Sequence, residues 1–72
     1  MTSNILPYAS VARIIANAGA ERISKESKLE LTQFLEEKGT QISETAKALA
    51  EHAGRKTVQG EDITFALKQL GY

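Results

Sequence analysis

Apolar side chains recur along this chain at steps of three and four, in three separate runs. The first holds Val11, Ile14, Ile15 and Ala18, the spacing that lines one face of a helix. Pro7 suits its opening turn, where a missing N–H costs nothing, and Gly19 ends it. The second run starts after Ser24, a good N-cap, and carries Leu31, Phe34, Leu35, Lys38, Ile42, Ala46, Leu49 and Ala53 along one stripe before Gly54. The third follows Thr57 as N-cap, places Glu61 and Asp62 in a first turn whose dipole favours acids, and aligns Ile63, Ala66, Leu67 and Leu70. The pattern predicts helices over about 8–18, 25–53 and 59–70. Between them, Ala20-Glu21-Arg22-Ile23 and Arg55-Lys56-Thr57-Val58 read as loops or single bridges. The fold class is all-α, in the order short, long, short.

The middle helix sets the architecture. At 1.5 Å per residue it runs roughly 43 Å, longer than a chain of this size can wrap. Two short helices cover part of its stripe, so Leu31, Leu35 and Ile42 need an apolar partner, most simply the same helix of a second copy. Gly39 sits at its midpoint, where glycine costs about 1 kcal/mol against alanine unless a close helix crossing uses the missing side chain. Alternatively Gly39 splits the segment into two helices of a four-helix bundle, and Thr40 and Gln41 do not decide between the two.

Length and composition agree with a small folded unit. The 72 residues form a single domain over 1–72, 42% hydrophobic and 25% charged, as ordinary globular chains are. There is no cysteine, so disulfides and thiolate zinc sites are excluded and a reducing, cytoplasmic setting is expected. No apolar run is long enough to span a membrane, and Met1-Thr2-Ser3-Asn4 lacks the positive start of a signal peptide. A core this small rarely supplies more than a few kcal/mol, which again points to an oligomer.

Catalysis has no residues to stand on. His52 is the only imidazole, no serine lies in a Gly-x-Ser-x-Gly turn, and the glycines form no phosphate-binding pattern. Glu36 and Glu37 diverge by about 100° on a helix, which suits solvation better than acid–base work. No cofactor, metal or small-molecule substrate is expected. Charge is more informative. The nine basic and nine acidic residues cancel, but Ile5 to Lys28 carries a local +2, Leu29 to Ala53 a local −3, and Arg55 and Lys56 stand together. Positive charge therefore collects at the two loops. Arginine fits a narrow, negative minor groove and lysine fits a phosphate, while N–H groups at helix starts also take phosphate oxygens. Such contacts bind DNA through its backbone and deformability, without reading bases.

Two stretches carry a resemblance. Arg13-Ile14-Ile15-Ala16-Asn17-Ala18-Gly19-Ala20-Glu21-Arg22-Ile23-Ser24 and His52-Ala53-Gly54-Arg55-Lys56-Thr57-Val58-Gln59-Gly60-Glu61-Asp62-Ile63, with Leu6-Pro7 and Leu35-Glu36-Glu37-x-Gly39, closely resemble the archaeal histones, and the likeness spans the chain without a gap. It implies a histone fold: an intertwined handshake dimer, clasped through the long second helices, with paired loops and double-stranded DNA bent around the outside. By position, Arg22 is then the arginine inserted into the minor groove, with Thr57 beside it from the partner's loop. Arg13 and Lys56 are phosphate contacts. Arg55 and Asp62 form an internal ion pair that holds the second loop on the third helix. Leu49 and His52 lie where dimers meet to build tetramers or larger DNA-bound assemblies, with Asp62 available to a neighbouring His52. His52 also reads as a helix-end residue capping carbonyls ahead of Gly54.

One departure from that family concerns charge. DNA-wrapping members are basic along the second and third helices, whereas this chain has Gln33, Thr40, Ala48, Glu51, Gln59 and Gln69 there. Facing Glu36, Glu37 and Glu44 would also repel between stacked dimers. The resemblance thus implies an architectural protein of the chromosome, in the cytoplasm or nucleoid. The zero net charge leaves a second reading, a dimerisation module that pairs with or caps more basic histones.

Overall fold

A computed structural model of the protein describes residues 5–72; the expectation for Met1-Thr2-Ser3-Asn4 lies outside them. It contains α1 (Tyr8–Asn17), α2 (Lys25–His52) and α3 (Gly60–Gln69), with no strand among the described residues. Each helix lies within the span its apolar period predicts, with ends shifted inward by up to one residue. Ser24 caps α2 as expected, its Oγ accepting the Ser27 N–H at 3.1 Å. Pro7 stands one position ahead of α1, with its carbonyl accepting the N–H groups of Ser10 and Val11.

Thr57 is not the cap of α3. That place belongs to Gln59, whose N–H donates to the Asp62 carboxylate three residues on, and the Thr57 carbonyl is taken by Arg55 instead. Gly39 does not break α2, which runs through it as one helix of 28 residues. The four-helix alternative is thereby removed.

The chain divides into two compact units, Met1–Glu37 and Lys38–Tyr72. In the first, α1 and the start of α2 bury Val11, Thr32 and Glu36. The second, made of the rest of α2 with α3, buries Ala46, Ala50, Asp62 and Ala66. Val11 and Thr32 are the largest fully buried side chains described, while Phe34 stays 51% and Phe65 59% exposed. Leu31, Leu35, Ile42 and Leu49 are half-buried. Interiors normally hold the large aliphatic and aromatic side chains; here the small ones are inside and the large ones are left at the surface.

Candidate nucleic-acid interface

The second loop is the best-defined polar feature of the chain. At the end of α2 the backbone makes a Schellman turn: the Arg55 N–H donates to the Ala50 carbonyl and the Gly54 N–H to the Glu51 carbonyl, both at 2.9 Å. This turn needs a left-handed residue, and Gly54 has φ 76°. Arg55 therefore leaves the helix in a fixed direction. Its guanidinium grips Asp62 at both oxygens, Nη1 to Oδ2 at 2.8 Å and Nη2 to Oδ1 at 3.0 Å, the fork geometry that makes such pairs strong. Nη1 also donates to the Thr57 carbonyl at 3.1 Å. Asp62 Oδ2 in turn accepts the Gln59 N–H at 2.7 Å, closing the first turn of α3.

One carboxylate thus fixes the loop at three points: Arg55, Thr57 through Arg55, and Gln59. The bond from Arg55 first, and the Gln59 N–H second, hold the Asp62 carboxyl down at about 2. Its hydrogen bond to Asp62 raises Arg55 further above its ordinary value. Asp62 is buried, with Oδ2 accepting from Arg55 and Gln59 and Oδ1 from Arg55. Lys56 and Thr57 stay exposed on this braced backbone.

Arg22 is exposed in the loop between α1 and α2, and Arg13 is exposed on α1. Neither forms an ion pair among the described residues. His52 is the exposed last residue of α2, and half-buried Leu49 lies one turn earlier. Gly39 is exposed, and a Cβ there would meet no atom within 4 Å beyond its neighbours and the backbone of its own helix turns. Among the described residues no group of three or more His, Asp or Glu is placed to hold a metal ion, and no helix is long and apolar enough to cross a membrane.

Glu36 is where the sequence misleads. Instead of being solvated beside Glu37, it is 6% exposed, and its Oε2 accepts the backbone N–H groups of Ile5 and Leu6, the latter at 2.7 Å. No local pattern signals this, because the donors lie 30 and 31 positions away. Five acidic residues do remain exposed on α2, Glu26, Glu30, Glu37, Glu44 and Glu51, the last four at every seventh position.

A family model for histone-like transcription factors (CBF/NF-Y) and archaeal histones matches residues 4–67. The chain is similar to an archaeal histone of Thermococcus zilligii, with 44% identity over 63 residues, covering 88% of this chain and 94% of that protein. It is 41% identical over 63 residues to probable archaeal histone 3 of Methanocaldococcus jannaschii, with the same coverage. Against the beta chain of nuclear transcription factor Y from Homo sapiens identity is 38% over 69 residues, covering 93% of this chain and 33% of that longer protein.

Proposed function

The chain belongs to the family of CBF/NF-Y histone-like transcription factors and archaeal histones, and on that footing we propose that it is an architectural protein that binds and bends double-stranded DNA as a dimer. Residues 1–72 act as one histone-fold domain that is completed by a second copy. Leu31, Leu35, Gly39 and Ile42 of each α2 make the dimer core, together with Phe34 and Phe65. What supports this is the inverted burial of the single chain, with alanines and Thr32 inside and two phenylalanines more than half exposed. Covering them removes apolar surface from water at about 25 cal/mol per Å².

Arg22 enters the minor groove, with Thr57 of the partner subunit beside it, while Arg13 and Lys56 take phosphates. For Lys56 and Thr57 the observation that supports this assignment is the loop braced by Asp62, which presents them on a backbone already ordered; Arg13 and Arg22 are assigned from their exposure and from kinship. DNA then bears no cost of fixing it. Arg55 and Asp62 serve as the brace and touch no DNA. Leu49 and His52 lie where dimers join into tetramers or longer assemblies along DNA. No enzymatic role is proposed, and the protein works on the chromosome, in the cytoplasm or nucleoid.

Arg13, Arg22 and Lys56 of each chain bring about six cations to the DNA per dimer, Arg22 through the groove and the other two at phosphates, for a salt slope of roughly −5 and about a thousandfold loss of affinity between 50 and 200 mM salt. Titrating a random-sequence duplex of about 60–100 base pairs through a salt series, with the dimer verified at the same concentration, tests this. Arg22→Ala weakens binding while leaving the dimer intact; unchanged affinity removes its minor-groove role.

A second reading draws on the zero net charge and the exposed glutamates of α2. In it the chain pairs with a more basic histone and limits its assemblies. Subunit exchange in a mixed-tag pull-down with a basic histone supports it, and no exchange counts against it.

A further inference from the structure

We infer that Glu36 is a positioning residue for DNA binding: its buried carboxylate ties the segment ahead of α1 to α2 and so sets where α1 presents Arg13. The inference rests on the DNA-binding reading above. Burying a carboxylate is costly unless hydrogen bonds replace its water. At Glu36 the replacement is one-sided. Oε2 accepts two backbone N–H groups, from Ile5 and Leu6, while Oε1 and the neighbouring Thr32 Oγ1, one turn away, are buried without a partner among the described residues. The bonds to the N-terminal segment are therefore the part of this environment that favours a carboxylate over an apolar side chain.

The coupling to α1 is short and stiff. Leu6 is held by Glu36, Pro7 follows with φ −68°, and Tyr8 is the first residue of the helix. A single proline with its ring-locked φ separates the latch from α1. The Pro7 carbonyl also accepts the first N–H groups of the helix, from Ser10 at 3.1 Å and Val11 at 3.2 Å. The other end of α1 is closed by a bond from the Gly19 N–H to the Ala16 carbonyl at 2.9 Å. That bond closes the helix on itself, so the hold on α2 at the N-terminal side is the one that sets where Arg13 is offered. Without the latch, the segment leading into α1 loses its two hydrogen bonds to Glu36, and a phosphate contact from Arg13 must order that entry again.

Charge and position predict opposite signs, which makes the inference testable. Removing an acid from a DNA-binding protein strengthens binding on electrostatic grounds; removing the latch weakens it. The experiment compares wild type, Glu36→Ala, Glu36→Gln, Arg13→Ala and the double variant Arg13→Ala/Glu36→Ala, all as intact dimers. Each is read by binding to a random-sequence duplex across a salt series and by amide exchange at Ile5 and Leu6.

Arg13→Ala removes two phosphates per dimer, which makes the salt slope shallower by about 2 and binding at 0.1 M salt on the order of 50-fold weaker. Glu36→Ala is expected to free both amides and to move binding in that same direction, and to add nothing in the Arg13→Ala background. Glu36→Gln keeps a carbonyl oxygen for the two N–H groups while removing the charge, and is expected to bind at least as well as wild type. If Glu36→Ala does not fold, Ile5→Pro removes one of the two donors at a residue that is 79% exposed, and a smaller shift of the same sign is expected. Freed amides with unchanged or tighter binding overturn the inference, as does an additive loss in the double variant. Failure of the underlying reading is distinguishable, because then the wild-type dimer itself does not bind DNA.

Discussion

Each unit of the chain buries one carboxylate, and the two are held in contrasting ways. In Lys38–Tyr72, Asp62 has both oxygens filled by Arg55 and Gln59, seven and three residues away. In Met1–Glu37, Glu36 has one oxygen filled by two backbone N–H groups from the far end of the unit and the other without a partner among the described residues. The first arrangement is a local brace that orders a loop. The second is a long-range tie that orders a terminal segment. A charge paired with a guanidinium is satisfied in both form and sign, whereas one held by amides alone depends on a segment that has to stay in place. Both units nevertheless share one deficiency: neither buries a large aromatic side chain.

That shared deficiency gives the largest expected effects. With Phe34 and Phe65 in a dimer core, Phe34→Ala and Phe65→Ala each lower stability by about 3–5 kcal/mol, measured by denaturant unfolding at fixed protein concentration. On a true surface the same changes stay within about 0.5 kcal/mol, and a loss at only one of the two breaks the symmetry between the units.

The contrast between the carboxylates is sharpened by acid. Asp62 has its folded value lowered to about 2 from an ordinary 3.8. A lowered carboxylate adds stability above its unfolded value, and that stability is lost as pH falls between the two. Wild type therefore loses stability between about pH 4 and pH 2 through this group, and Asp62→Asn removes that component from the pH profile. The same profile in the variant rules out the brace as its source.

The smallest of the expected effects is at Gly39. In an isolated helix Gly39→Ala gains about 1 kcal/mol, and within the chain nothing obstructs the added methyl. A second α2 crossing there turns the gain into a loss, readable in the concentration dependence of unfolding.

How much of this is legible in the sequence depends on how far each interaction reaches. Ser24, Gly19 and Gly54 mark helix ends because capping is decided within three or four residues. Arg55 and Asp62 are placed by resemblance, and their spacing across one turn of loop and one turn of helix lets the structure join them. Thr57 is a plausible cap by type but not in fact, since Arg55 claims its carbonyl and Asp62 selects Gln59. Continuity through Gly39 is open in the sequence because helix propensity alone is a weak guide at one residue. Glu36 is illegible: beside Glu37 it reads as a surface acid, and only the folded chain brings Ile5 and Leu6 to it. Arg13, Arg22 and Lys56 are visible in the sequence as cations near the loops, and in the structure as exposed side chains with no ion pair among the described residues; the DNA-binding roles proposed for them come from kinship and charge.

The central claim is that the large side chains exposed on one chain are the interior of a dimer that holds DNA. Sedimentation equilibrium of the purified protein across a concentration series, without DNA, tests it most directly. The account predicts a species of twice the chain mass whose dissociation on dilution coincides with loss of helix. A folded monomer that keeps its helices at every concentration contradicts it.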